Sequence, residues 1–169
     1  MAYIEKFLGK RVEIPEDRRY VIKTGLWVKR VTQDLVFGFA EPSLVLSGGI
    51  NDLDWIISHG QEVRQGDSVL FAITGKIMYL DAPVSGTIHF NSGVKQSPAL
   101  VSKDPYAEGW LFKISVASDP EKLFNSFSEA QGYIESLQSS EGCKNPEGLK
   151  GGVSGICKAV YSGIREQKI

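Results

Sequence analysis

The stretch "GDSVLFAITGKIMYLDAPVSGTI", residues 66–88, decides how the chain is read. It opens on a Gly66-Asp67 turn pair. Val69, Phe71 and Ile73 then alternate with Ser68, Leu70 and Ala72. That pattern predicts a strand over residues 69–73 with one fully apolar face and one partly apolar face. Residues 77–80 supply a second apolar arm. Thr74, Gly75 and Lys76 between the arms predict a hairpin, with Gly75 free to take a positive φ in the reversal. Pro83 is expected at the start of the next strand, where its missing N–H costs least. Gly86 suits a turn or bulge. Lys76 is the only charge at the bend. A lone lysine in a turn is ordinarily a solvated hairpin end, so any further role needs support from the rest of the sequence.

Working outward, turns recur every eight to twelve residues. "LWVKRVTQDLVFGFA" reads as two strands, residues 26–31 and 35–40, joined by a short "TQD" turn. Pro42 starts a short helical turn. A strand is expected near residues 53–58, with Asp52 and Asp54 of "NDLD" read as turn residues. "SPALVSKDPYAEGW" places Ser97 as helix cap and Pro98 at the first helical position, and Asp104-Pro105 stops that helix. Residues 110–116 alternate as a strand. "DPEKLFNSFSEAQGYIESLQ" predicts a C-terminal helix capped by Asp119, weakened at Gly132. Its stripe of Leu123, Phe124, Phe127, Tyr133, Ile134 and Leu137 is core packing. The predicted body is therefore mostly β, two small packed antiparallel sheets forming a sandwich or flattened barrel, with a C-terminal helix.

Three segments are expected. Residues 1–18 form an N-terminal arm with an amphipathic turn near residues 3–8. Residues 19–138 form the domain. Residues 139–169 form a Gly-, Ser- and Lys-rich extension, a linker to residue 152 and a short helix after it, which holds Cys143 and Cys157.

With 19 basic and 20 acidic residues among 169, no global positive field exists to attract nucleic acid or an anionic membrane surface. No stretch of eighteen apolar residues predicts a membrane span. The opening "MAYIEKFLGKRVEIPEDRRY" has no signal-peptide run, and only two cysteines occur; a reducing, cytoplasmic setting is the simplest reading, although the two cysteines could also pair. The cysteines make no CxxC motif, and no histidine stands near them to complete a metal set. Two ordinary thiols are the default reading of Cys143 and Cys157; a redox or partner-docking tail is the sharper one. His59 and His89 lack a nucleophile at useful spacing. No nucleophile–base pair or metal cluster is legible, so an enzyme is not expected.

Three motifs resemble one family. "SPALVSKDPYAEGWLFKI" is similar to the "SP.L.N.DPYG.GWL.K" region of glycine cleavage system H proteins. "DAPVSGTI" resembles the "YAPVSGE(I/V)" strand that follows their lipoyl-lysine. "GLWVKRV" and "VFGFAEPSLVLSGGI" resemble their "HEWV" and "VGIT.YA...LG" segments. The likeness spans about residues 21–137. It implies a lipoyl-domain-like flattened barrel and a non-enzymatic carrier. Lipoic acid would be held in amide linkage by Lys76, placed there by a lipoylating enzyme. The partners implied are a pyridoxal-phosphate-dependent glycine decarboxylase, a tetrahydrofolate-dependent aminomethyltransferase and a flavin-dependent dihydrolipoyl dehydrogenase.

Two features depart from the family pattern. Counting forward from Gly66 places the family's lysine at Lys76, whereas counting back from "APVSG" places it at Gly75. A hairpin one residue shorter reconciles the counts; a strand slip would invert every side chain. The family writes "ESVK" where this chain has "ITGK", so Ile73 replaces an acid. Together with the cysteine-bearing tail, these departures leave two alternatives. One is an H-like lipoate-binding carrier for analogous oxidoreductase partners, such as a sulfur-oxidising, heterodisulfide-reductase-like system. The other is an unmodified binding or scaffold module.

Overall fold

The computed structural model describes residues 2–149. The predicted helix after residue 152 and Cys157 lie outside the described residues. Eleven strands among these residues form three antiparallel sheets. A six-stranded sheet runs in the order β3 (Arg19–Val21), β4 (Leu26–Val31), β5 (Asp34–Phe39), β11 (Phe112–Ser115), β10 (Gly86–Phe90), β7 (Glu62–Val63). A three-stranded sheet runs β6 (Asp52–Trp55), β8 (Ser68–Ile73), β9 (Ile77–Asp81). A separate hairpin joins β1 (Ala2–Phe7) to β2 (Lys10–Ile14).

The two larger sheets pack face to face around one core. Leu26, Val28, Leu35, Phe37, Ile88 and Phe112 on the six-stranded sheet enclose it with Leu53, Leu70, Ala72 and Leu80 on the three-stranded sheet. Alternation along each strand puts these side chains on one face. The packed antiparallel architecture is as expected; the sheets do not close into a barrel.

The first half of β4, Leu26 to Val28, is buried on both faces. Trp27 points away from Leu26 and Val28 into a second core with Phe7, Val12, Ile14, Tyr20, Tyr133 and Leu137. Gly38, directly opposite Trp27 in the β4–β5 ladder, leaves room for the indole: a Cβ there would lie 2.6 Å from its ring. Trp27 Nε1 donates to the Pro105 carbonyl at 2.9 Å. Arg18 lies over the rings of Trp27 and Tyr106, at 4.7 and 5.4 Å, and donates to the Tyr106 carbonyl at 3.0 Å. Tyr106 hydroxyl accepts from Glu41 N–H and donates to Glu13 carbonyl. "DPYAEGW" is thus a fastener between the main sheet and the β1–β2 hairpin.

This second core explains the largest differences from the sequence reading. The segment read as an arm with an amphipathic turn is a β-hairpin, because Phe7, Val12 and Ile14 have a distant surface to cover. The C-terminal helix is broken into α1 (Pro120–Asn125) and α2 (Ala130–Ser136). Asp119 caps α1 as expected, accepting from Glu121 N–H at 3.0 Å. The break falls at residues 126–129 rather than Gly132, because Ser128 pairs with Tyr20 through two backbone hydrogen bonds. After α2, a 3-10 turn at Leu137–Ser139 and a short helix, Glu141–Lys144, return the chain to Phe7. Part of the expected linker is therefore ordered, with partly buried Cys143 packed against the second core.

Smaller differences concern turns. Residues 92–96 form a helix that was not foreseen, capped by Asn91. Pro83 lies in the bend between β9 and β10 rather than at a strand start. Gly86 begins β10 because backbone crowds it; a Cβ would sit 2.3 Å from the Ser115 carbonyl oxygen. Gly86→Ala is therefore expected to cost about 1–3 kcal/mol, read as a lowered urea midpoint; an unchanged midpoint would contradict the crowding.

Tyr20 and Tyr133 stack at 4.7 Å in the second core. Burial pushes the Tyr133 phenol up to about 12 and Tyr20 well above its ordinary range. A raised phenol pKa leaves stability intact below the unfolded value of about 10 and erodes it above, because the unfolded chain loses the proton first. Stability should fall between about pH 10 and about 12, less steeply in Tyr133→Phe; equal slopes in urea titrations would refute this.

Candidate functional site

The β8–β9 hairpin positions Lys76. β8 pairs with β6 on one side and β9 on the other, so its base is held from both edges. Leu70, Ala72 and Leu80 are buried in the main core. The bend itself is three residues long, since Ile73 lies opposite Ile77. Thr74 N–H donates to the Lys76 carbonyl at 2.9 Å across it. Gly75 does not take the expected positive φ; its Cβ position faces open space. A three-residue bend reverses the chain without that conformation.

A residue from another loop braces the bend. Asn51 N–H donates to the Ile73 carbonyl at 2.8 Å, and its side-chain amide donates to the Thr74 carbonyl at 3.0 Å. Sequence reasoning missed Asn51, since nothing local shows which distant carbonyls an asparagine will meet. Lys76 is exposed, and its ammonium has no hydrogen bond or ion pair among the described residues. Its backbone is therefore fixed while its amine is free.

The face assignment of β8 reverses the sequence expectation. Leu70 and Ala72 point inward with Val69, whereas Ile73 is exposed and Phe71 half-buried. A register irregularity between Ser68 and Leu70 places Val69 on the core side and shifts the alternation beyond it. Asp52 and Asp54 are strand residues rather than turn residues. Asp54 is paired with Lys95 at 2.9 Å, and that hydrogen bond holds its carboxyl below the usual range.

Other expected groups stand apart. His59 and His89 come within 5.1 Å, ring to ring. His59 Nδ1 accepts from Phe90 N–H at 3.1 Å, which places the neutral ring's proton on Nε2. No group of three or more metal-ligating side chains occurs among the described residues. Beside β9 lies an open cleft of about 350 Å3, lined by Lys23, Thr24, Ser43, Met78 and Tyr133. Thr24 Oγ1 is buried without a hydrogen-bond partner among the described residues. No helix among these residues is long and apolar enough to cross a membrane.

A family model for the glycine cleavage H-protein matches residues 18–140. The chain belongs to the glycine cleavage H-protein family. It is 34% identical over 131 residues to a probable glycine cleavage system H protein 2 of Saccharolobus solfataricus, covering 75% of this chain and 86% of that one. It is 31% identical over 137 residues to the glycine cleavage system H protein of Marinobacter nauticus, covering 76% and 98%. Among solved structures, a glycine cleavage system H protein from Mycobacterium marinum superposes with a TM-score of 0.59 at 24% identity, over 72% of this chain and 97% of that one. H proteins are carriers, not enzymes.

The Asn51 brace has a direct consequence. Asn51→Ala is expected to leave global stability within about 1 kcal/mol while hydrogen exchange at Thr74 and Ile77 accelerates. Unchanged exchange at the bend would show that the brace does not hold it.

Proposed function

We propose that the protein is a lipoyl carrier, loaded with lipoic acid as an amide on Lys76. The observation that supports this most directly is an exposed, unpartnered amine on a hairpin whose base is held by two ladders and by Asn51. The residues fit the group: Gly75 leaves open space beside the lysine, and among the described residues no carboxylate pairs with Nζ. Acylation removes the lysine charge and extends an apolar tether. The dithiolane supplies thiol–disulfide exchange when bound, and with it transfer of an aminomethyl group or of reducing equivalents. The protein's own share is to keep the tether's root fixed while its far end moves between partners.

Glycine decarboxylase, aminomethyltransferase and dihydrolipoyl dehydrogenase are the partners this reading implies. Ile73 and the shortened hairpin support a second reading, in which an H-like carrier serves analogous oxidoreductases. An isoleucine presents partners with an apolar contact where the family presents a charge.

The test is intact mass and peptide mapping of the chain produced in its own host. A lipoyl-sized increment on the peptide holding Lys76, absent in Lys76→Arg, is expected. An unmodified wild-type chain would leave a binding or scaffold module as the function.

A further inference from the structure

β10 lacks a strand partner along part of its outer edge. β11 pairs with it from Thr87 to Phe90, whereas β7 pairs with Gly86 and Thr87. Beyond Thr87 that edge is completed by the loop of residues 56–61. Gly60 N–H donates to the Ile88 carbonyl at 2.7 Å, and Ile88 N–H donates to the Gln61 carbonyl at 3.0 Å. At Phe90 the acceptor is a side chain: the backbone N–H donates to His59 Nδ1 at 3.1 Å. An imidazole thus stands where a strand carbonyl would. The same loop joins β6 of the three-stranded sheet to β7 of the six-stranded one, so the contact sits on a crossing between the sheets.

Nδ1 accepts only while it is unprotonated. An imidazolium carries a proton on both nitrogens, so its Nδ1–H would meet the Phe90 N–H donor to donor. Histidine changes charge between about pH 5 and 8. The neighbours sharpen the effect. His89 on β10 lies 5.1 Å from His59, ring to ring. Lys113 on β11 stands opposite His89. Asp34 on β5 lines the same cleft, but it already accepts from Ser115 Oγ and lies 3.8 Å from Lys113 Nζ. Glu62 on β7 follows the loop and is exposed. The Asp54–Lys95 pair lies beyond Trp55, which stacks on Phe90 at 4.6 Å. With both imidazoles charged, three cations would meet the one carboxylate of Asp34 in that cleft. We propose that His59 is an acid-released latch: a proton from solvent on Nδ1 ejects the ring, and the Phe90 N–H turns to water. The backbone hydrogen bonds at Ile88 stay closed, so the opening is confined to Phe90 and the loop before Gly60. The inference does not depend on what Lys76 carries.

The test compares the full chain at about pH 7.5 and about pH 5. Imidazole 15N NMR reads the tautomer of His59. Amide hydrogen exchange, corrected for the intrinsic effect of pH, reads the local opening. Wild type is expected to carry the proton of His59 on Nε2 at the higher pH. At the lower pH it is expected to lose about tenfold protection at Phe90, with Ile88 and Ile114 unchanged. His59→Asn sets an acceptor that does not titrate near the position of Nδ1, and is expected to protect Phe90 equally at both pH values. His59→Ala is expected to leave Phe90 unprotected at both, and His89→Asn to keep an acid response. Circular dichroism and Tm confirm that each variant folds. An Nδ1–H tautomer in wild type at the higher pH overturns the inference. So does protection of Phe90 that ignores pH in wild type, or the same acid loss in His59→Asn. An acid response that vanishes in His89→Asn and survives in His59→Asn would assign it to the other histidine and also overturn the proposal.

Discussion

The register of β8 is the constraint on which the rest depends. Its two ladders place Leu70 and Ala72 against the six-stranded sheet and leave Phe71 and Ile73 facing solvent. Because strand side chains alternate with period two, a one-residue slip would exchange these sets. It would also move Lys76 off the bend and part the Ile73 and Thr74 carbonyls from Asn51. The core thus holds the lysine in place without touching it. Leu53, Leu70, Ala72 and Leu80 anchor the hairpin from below, while nothing among the described residues binds the amine above.

Local signals were legible where the chain acts on its near neighbours. The β4–β5 hairpin falls over its expected residues, the Asp119 cap is in place, and Lys76 sits in a bend between two strands. What could not be read depends on distant partners. Phe7 and Ile14 make a strand hairpin only because Tyr133, Leu137 and Trp27 offer them a surface. Ser128 breaks the last helix because Tyr20 claims its backbone groups. The faces of β8 were read in reverse, since Phe71 and Ile73 outweigh Leu70 and Ala72 in apolar bulk. Periodicity cannot reveal a register shift at Ser68.

A carrier site asks little of sequence beyond one amine, and that makes it hard to recognise alone. Lys76 is singled out in the sequence only through "APVSG" and "DPYAEGW". In the structure these motifs are architectural. Gly86 permits the close approach of β10 to β11, and Pro105 and Tyr106 fasten the second core. They mark the family because they build the frame that displays the lysine. Ile73, by contrast, stands exposed beside the bend.

The central claim is that a stiff backbone carries a free amine. NMR of reductively 13C-methylated lysines, together with 15N relaxation, tests both halves in one sample. The account predicts a narrow, freely reorienting methyl resonance for Lys76, with Ile73 and Ile77 amides as rigid as Leu70 and Leu80. A broadened Lys76 resonance, or Ile73 and Ile77 amides moving like an unbraced loop, would contradict it.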